Sequence, residues 1–229
     1  MKFPNIELNK YVNSKRPQLG IFSIFGDFGV GKTTFALQTA INSAKLGKLV
    51  IFVYTKPNFP SEKIQLISKD SDEILDKILF IQTTSFNDLY RIIFNFEFLV
   101  LKFLKKTQQK LNLIIIDSIT NLYRLELNME KKEKNYNLNY QLNQMLANLT
   151  YLNEIYGIEV IVVNEISKKN FDDQIIEVES GGKVMEFWVN KNLKITKTKK
   201  LNERKFLFTN FSENFAIELY SNLRENGFE

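Results

Sequence analysis

The chain has 229 residues, with 31 basic and 26 acidic side chains for a net charge of +5, and it contains neither cysteine nor histidine. That composition excludes a disulfide framework, a zinc finger, a thiol nucleophile, a Ser-His-Asp triad and an imidazole base. A general base must then be a carboxylate, Lys or Tyr, and a bound metal must sit on oxygen ligands, which favours Mg²⁺ over Zn²⁺.

Short apolar runs alternate with helical patterns along the chain. The first residues, MKFPNIELNK, lack the apolar core of a secretion signal. IFSIF (21–25) reads as a strand and 33–45 as a helix. LVIFVY (49–54) is a strand, followed by a helical stretch over 61–68. ILFIQ (78–82) is a strand, with a helix over 86–106. LNLIIID (111–117) is a strand, 137–156 a helix, and IEVIVVN (158–164) a further strand. These strands are continuous apolar runs rather than alternating ones. They are therefore expected to be buried on both faces, as in a parallel sheet with helices on each side. After Trp188 three strand-like pieces (189–198, 205–209 and 215–219) are joined by short polar turns, which predicts an antiparallel extension at the sheet edge. The longest apolar stretch, 92–104, is broken by Asn95, Glu97 and Lys102 and falls short of a bilayer span. No membrane partner is expected, and a cytoplasmic location is.

The positive charge is local. Residues 191–205 hold six Lys, Arg204 and one acid, Glu203, a net of +6 that leaves −1 for everything else. The abundance of Lys, Asn, Ile and Phe also fits the codon choice of an AT-rich genome.

The segment GDFGVGKTT comprises Gly26, Asp27, Phe28, Gly29, Val30, Gly31, Lys32, Thr33 and Thr34. It fits G-x-x-x-x-G-K-[ST], preceded by a strand and followed by a helix. The glycines let backbone N–H groups turn inward around phosphate oxygens, and the helix N-terminus adds partial positive charge. Lys32 would reach the β- and γ-phosphates of ATP, and the Thr33 hydroxyl would ligate Mg²⁺. A second acid is needed at the end of a buried strand, and Asp117 follows four consecutive apolar residues.

Four segments in this order resemble the RecA superfamily in its archaeal RadA/RadB branch. Besides the phosphate loop they are IDSITNLYR (116–124), IVVNEI (161–166) and GGKVMEFW (181–188), while TKPNFPSEKI (55–64) aligns to a fifth family segment. The resemblance implies an α/β RecA-like ATPase core with a mostly parallel sheet. Only 25 residues precede Gly26 and no Phe-x-x-Ala polymerisation motif occurs. The expectation is therefore one core domain over 1–229, without the recombinases' N-terminal helical DNA-binding domain. Such a short core resembles RadB: an ATP-binding accessory of recombination and repair whose partners would be single-stranded DNA and a RadA-type recombinase or other repair protein.

Two positions depart from the family pattern. Its catalytic glutamate aligns with Lys56, and an ammonium accepts no proton from water unless burial depresses its pKa. Its γ-phosphate-sensing Gln falls at Glu165, which would repel phosphate unless paired, and Lys56 is a candidate partner. ATP is thus expected to bind and to turn over slowly or not at all; Glu165 acting as the base instead stays an alternative. Lys63 aligns with an Arg that lies against adenine in the family, and as a Lys it loses the planar stack. It also reads as an ordinary solvated helix residue.

The resemblance also implies two DNA-facing loops. The first, about 125–137, carries Lys131, Lys132 and Lys134 against Glu126, Glu130 and Glu133. The second, about 167–180, carries Lys168 and Lys169 against Asp172, Asp173, Glu177 and Glu179. Backbone neutralisation dominates nucleic-acid affinity, so neither loop is a strong DNA site. Arg124 is a candidate phosphate contact. Lys197, Lys199 and Lys200 in the basic hairpin are candidates too, or else they are the solvated Lys residues that discourage edge-to-edge pairing. Tyr123, Tyr136, Tyr140 and Phe171 are candidate stacking platforms, with Tyr140 on a semi-buried helical period. The competing reading is a nucleotide-gated interaction protein of the KaiC-like or archaellum type, which does not bind DNA.

Overall fold

Each buried strand inferred above forms, and the reason its pattern does not alternate is visible in the packing. The computed structural model describes residues 1–12, 20–69, 71–107, 110–171 and 174–229; the side chains of 106, 107, 169–171 and 174–176 lie outside the described set. In chain order the elements are α1 (Ile6–Val12), β1 (Ile21–Gly26), α2 (Lys32–Lys45), β2 (Leu49–Tyr54), α3 (Ser61–Ser68), α4 (Asp72–Leu75), β3 (Ile78–Gln82), α5 (Phe86–Phe94), α6 (Phe96–Thr107) and β4 (Leu111–Asp117). They continue with α7 (Asn121–Glu126), α8 (Lys132–Tyr156), β5 (Glu159–Phe171), β6 (Gln174–Glu179), α9 (Gly182–Trp188), β7 (Val189–Lys197), β8 (Glu203–Asn210), β9 (Phe215–Arg224) and β10 (Gly227–Phe228).

The sheet runs β10-β9-β8-β7-β1-β5-β4-β2-β3, with β6 paired to β5. Strands β7, β1, β5, β4, β2 and β3 are mutually parallel. Strands β8, β9 and β10 extend the sheet antiparallel. On one face Phe22, Ile24, Phe52, Ile115 and Val163 pack against α2 and α1. On the other, Ile51, Val53, Ile114, Ile116 and Val162 pack against α5, α8 and α9. Alternate residues of one strand thus enter two different cores, so every position is apolar. Phe35 of α2 is fully buried and its ring lies 5.7, 5.5 and 5.6 Å from those of Phe3, Phe206 and Phe228, joining the segment before α1, β8 and β10 to the phosphate-loop helix.

The structure corrects the sequence reading in four places. The helix expected over 86–106 is two helices meeting at Asn95, whose N–H bonds the carbonyls of Arg91 and Ile92 at 3.1 Å each and whose side chain caps Arg91 O at 2.8 Å. The helix expected from 137 begins at Lys132. The strand ending at 164 continues to Phe171, and the expected loop 167–180 is largely an antiparallel ribbon of β5 and β6. Finally, β7 lies inside the sheet, parallel to β1, so the antiparallel edge begins only at β8. Among the described residues no helix is long and apolar enough to cross a membrane.

Candidate nucleotide site

The phosphate loop is the turn between β1 and α2, and its glycines are there for two separate reasons. Gly29 and Gly31 adopt φ of 74° and 103°, the left-handed region that side chains disfavour. Gly31 also has no room, because a Cβ there would lie 2.9 Å from both Leu223 Cδ2 and Phe228 Cζ. Val30 is buried and anchors the loop, while Asp27 and Phe28 project outward, Phe28 at 95% exposure. Gly31 caps α2, so Lys32, Thr33 and Thr34 form the helix's first turn, where orphan backbone donors and the helix dipole favour an anion. Lys32 and Thr34 are buried.

Facing this loop are the ends of β2, β4 and β5. Asp117 closes β4, in register with Tyr54 on β2 and Val163 on β5. It is fully buried, and neither carboxylate oxygen receives a well-formed hydrogen bond. The Lys56 ammonium approaches instead, 3.3 Å from Asp117 Oδ1 and 3.3 Å from Thr33 Oγ1. Burial alone would lower the Lys56 pKa, but the charges of Asp117 and Glu165 outweigh it and hold the group above its ordinary value, as a cation. Burial, followed by the Asp117 charge, likewise raises Tyr54.

Glu165 lies on β5 beside Gly26 of β1. Its carboxylate accepts from the Lys32 ammonium at 2.8 Å, and Lys32 also donates to the carbonyls of Gly26 (2.7 Å) and Asp27 (2.8 Å). The Lys56–Glu165 partnership expected from sequence is therefore replaced by two other pairs, Lys32–Glu165 and Lys56–Asp117. Strand register is the reason: β5 carries Glu165 alongside the phosphate loop, whereas Lys56 leaves β2 two residues beyond Tyr54, which stands beside Asp117.

The segment bearing Lys56 is tied down. Thr55 N donates to Asp117 O at 2.8 Å, the Thr55 hydroxyl donates to Ser118 O at 3.0 Å and accepts from Ser118 N at 2.8 Å, and Gln82 donates to the carbonyls of Lys56 (3.0 Å) and Pro57 (2.7 Å). The Asp117 carboxylate and the Thr33 hydroxyl are hard ligands of the kind Mg²⁺ takes, but the Lys56 ammonium already stands against both. Among the described residues no group of three or more acids could hold a metal, so Mg²⁺ would rely on phosphate oxygens and water for the rest of its shell.

Lys63 projects from α3 and donates to Glu225 O at 2.9 Å, in the turn between β9 and β10. This C-terminal ribbon was absent from the site expected from sequence. Besides Leu223 and Phe228 against Gly31, Phe228 N donates to Gln38 of α2 at 2.8 Å and Gln38 returns a bond to Phe228 O at 3.0 Å. Only the Gly-Phe pair near the end of the chain hinted at it.

The candidate DNA residues fall into three groups. Arg124 is in the last turn of α7 and is exposed, and Lys131 and Lys132 open α8, also exposed. Lys168 lies directly across from Glu177 in the β5–β6 ribbon. Lys169 is on β5, with its side chain outside the described residues, as are Asp172 and Asp173. In the basic hairpin Lys194 pairs with Glu177 (2.8 Å), Lys200 with Glu203 (2.8 Å) and Lys205 with Glu218 (2.5 Å). Arg204 is buried and donates to Val30 O at 3.2 Å, so it buttresses the phosphate loop. The Lys197 ammonium stands 3.9 Å from where a Gly29 Cβ would be, over the same loop. Lys199 completes a basic recess with Lys197, Lys200, Lys205 and the half-exposed Tyr220. Tyr123 is buried and bonded to Asn139 at 2.9 Å, whereas Tyr136 and Tyr140 are exposed, the latter more than its helical period implied. The Phe171 side chain lies outside the described residues.

The Rad51 family profile matches residues 7–208. A DNA repair and recombination protein RadB of Methanococcus maripaludis is 30% identical over 220 residues, 94% of this chain and 95% of that protein. The RadB of Methanosphaera stadtmanae is 30% identical over 196 residues, covering 85% and 80% of the two chains. That of Methanocaldococcus jannaschii is 30% identical over 171 residues, covering 73% and 74%. With the profile spanning most of its length and RadB relatives aligned along nearly all of it, the chain belongs to the Rad51 family and is RadB-like within it.

Proposed function

We propose that this protein is an ATP-binding accessory factor of recombination and DNA repair that binds the nucleotide's phosphates at Gly26–Thr34 and hydrolyses it slowly or not at all. The relatives' names support the repair role, and the family supports nucleotide and DNA binding. The observation that carries slow turnover is the state of the two residues opposite the phosphate loop. Lys56 is a cation held by Asp117, so it accepts no proton from water, and the Glu165 carboxylate is committed to Lys32. A triphosphate entering the loop competes with Glu165 for Lys32, and Glu165 then faces the phosphate as a like charge. Thr33 and Asp117 are the protein oxygens a Mg²⁺ ion would use, and the Lys56 ammonium stands against both. Lys63 and the β9–β10 turn would flank the base. Binding of a fluorescent ATP analogue, with turnover far below about 1 s⁻¹, is the expected result. Turnover at or above that rate, abolished in Lys32→Ala, overturns it.

Single-stranded DNA would be met weakly, because the paired charges on the hairpin and ribbon leave few cations for the backbone. The basic recess, with Tyr220 as a stacking surface, and the exposed Arg124, Lys131, Lys132, Tyr136 and Tyr140 are the contacts proposed. A recombinase is the protein partner this reading implies. Salt-titrated binding to oligonucleotides tests the DNA contact. No binding at about 50 mM salt would favour the nucleotide-gated interaction protein instead.

A further inference from the structure

We propose that the Lys56 ammonium is the resident counter-cation of the nucleotide site, standing where a divalent metal would be held, so that this chain binds a nucleoside triphosphate without Mg²⁺. The proposal rests on the ATP reading above and deepens it.

Three observations carry it. First, the ammonium touches both protein oxygens that a metal would use, Thr33 Oγ1 and Asp117 Oδ1, each at 3.3 Å. A dication placed between the same two atoms would meet a positive charge already there. Second, Asp117 is fully buried with both carboxylate oxygens lacking a well-formed hydrogen bond. A buried carboxylate needs a cation, and Lys56 supplies it within the chain. Third, the placement is built rather than incidental. Thr55 is bonded to Asp117 at the end of β4 and to Ser118 just beyond it, and Gln82 of β3 holds the carbonyls of Lys56 and Pro57. The backbone on either side of Lys56 is therefore fixed to the two strands beside it.

The two ion pairs are each self-neutral. Glu165 meets Lys32 as a phosphate would, and Lys56 meets Asp117 as a metal would. A triphosphate that displaces Glu165 gains Lys32 and finds a second ammonium already seated beside the Thr33 hydroxyl. An ammonium carries half the charge of Mg²⁺ but no hydration shell that must be partly shed in a fixed octahedral geometry.

The test is equilibrium binding of a fluorescent ATP analogue with excess Mg²⁺ and with excess EDTA, for wild type, Lys56→Met and Lys56→Arg, each first shown to be folded by its melting curve. Wild type and Lys56→Arg are expected to change affinity by less than about threefold on metal removal, while Lys56→Met loses about tenfold or more. A tenfold loss for wild type in EDTA overturns the proposal, as does metal-independent binding by Lys56→Met. Should Lys56→Met not fold, the wild-type and Lys56→Arg measurements decide it alone. No binding by wild type in either buffer has a different signature: it removes the ATP reading itself, and this proposal with it.

Discussion

The two halves of the nucleotide site are held together by different physics. The phosphate loop owes its shape to backbone and packing: left-handed glycines, a buried Val30, and α2 locked into the core through Phe35. The wall that faces it owes its state to exchanged charges, Lys32 with Glu165 and Lys56 with Asp117. Apolar packing is non-directional and tolerates no empty space, whereas a partly buried ion pair exchanges partners when a better one arrives. The loop is thus the fixed half and the wall the adjustable one.

The largest effect should come from attacking the fixed half. Phe35→Ala removes a ring of α2 that packs on Phe3, β8 and β10, and is expected to cost about 3–5 kcal/mol of stability, read by denaturant melts. An unchanged midpoint would mean that packing does not hold the loop. Next is Lys32→Ala, which deletes the loop's charge together with its bonds to the Gly26 and Asp27 carbonyls and to Glu165. ATP affinity should fall by about 2–3 kcal/mol, measured by equilibrium binding, and the melting midpoint should fall as well because Glu165 loses its partner. Glu165→Gln works in the opposite direction. It removes the internal competitor for Lys32 and the charge facing the phosphate, so affinity should rise by about 1.4 kcal/mol, roughly tenfold. Weaker ATP binding by this variant would contradict an adjustable wall. The smallest effect is Lys199→Ala in the basic recess, which should lower the slope of DNA affinity against salt by about one without touching ATP binding.

The same division explains which parts could be read in advance. Strands β2, β3 and β4 were legible to the residue because continuous apolar runs ending in polar groups admit little else, and the phosphate loop was legible because its glycines are needed locally. Asp117 followed from its place at the end of LNLIIID. What escaped was non-local. The split at Asn95 interrupts an apolar pattern that continues through it, and only the Asn side chain's cap marks the break. The β5–β6 ribbon pairs mainly with itself, so its residues carry no long apolar run. The partners of Lys56 and Glu165 depend on how β2 registers against β4 and β5 against β1, and neither strand alone contains that information. The basic hairpin read as one positive patch because its counter-ions, Glu177 and Glu218, come from other strands, and because Arg204 turns inward to Val30.

Strand β5 carries a consequence of its own. It is one uninterrupted strand from Glu159 to Phe171, paired with β1 and β4 along its first part and with β6 along its last. Glu165 sits where the clamped part ends and Ile166 begins the outlying ribbon. No loop or helix separates the two to absorb a displacement. The ribbon is tied back to the sheet as well, through Ser23 and Asn192 to Glu179 and through Lys194 to Glu177. A phosphate that takes Lys32 would therefore release a carboxylate at the one point where the strand passes from the sheet into the ribbon.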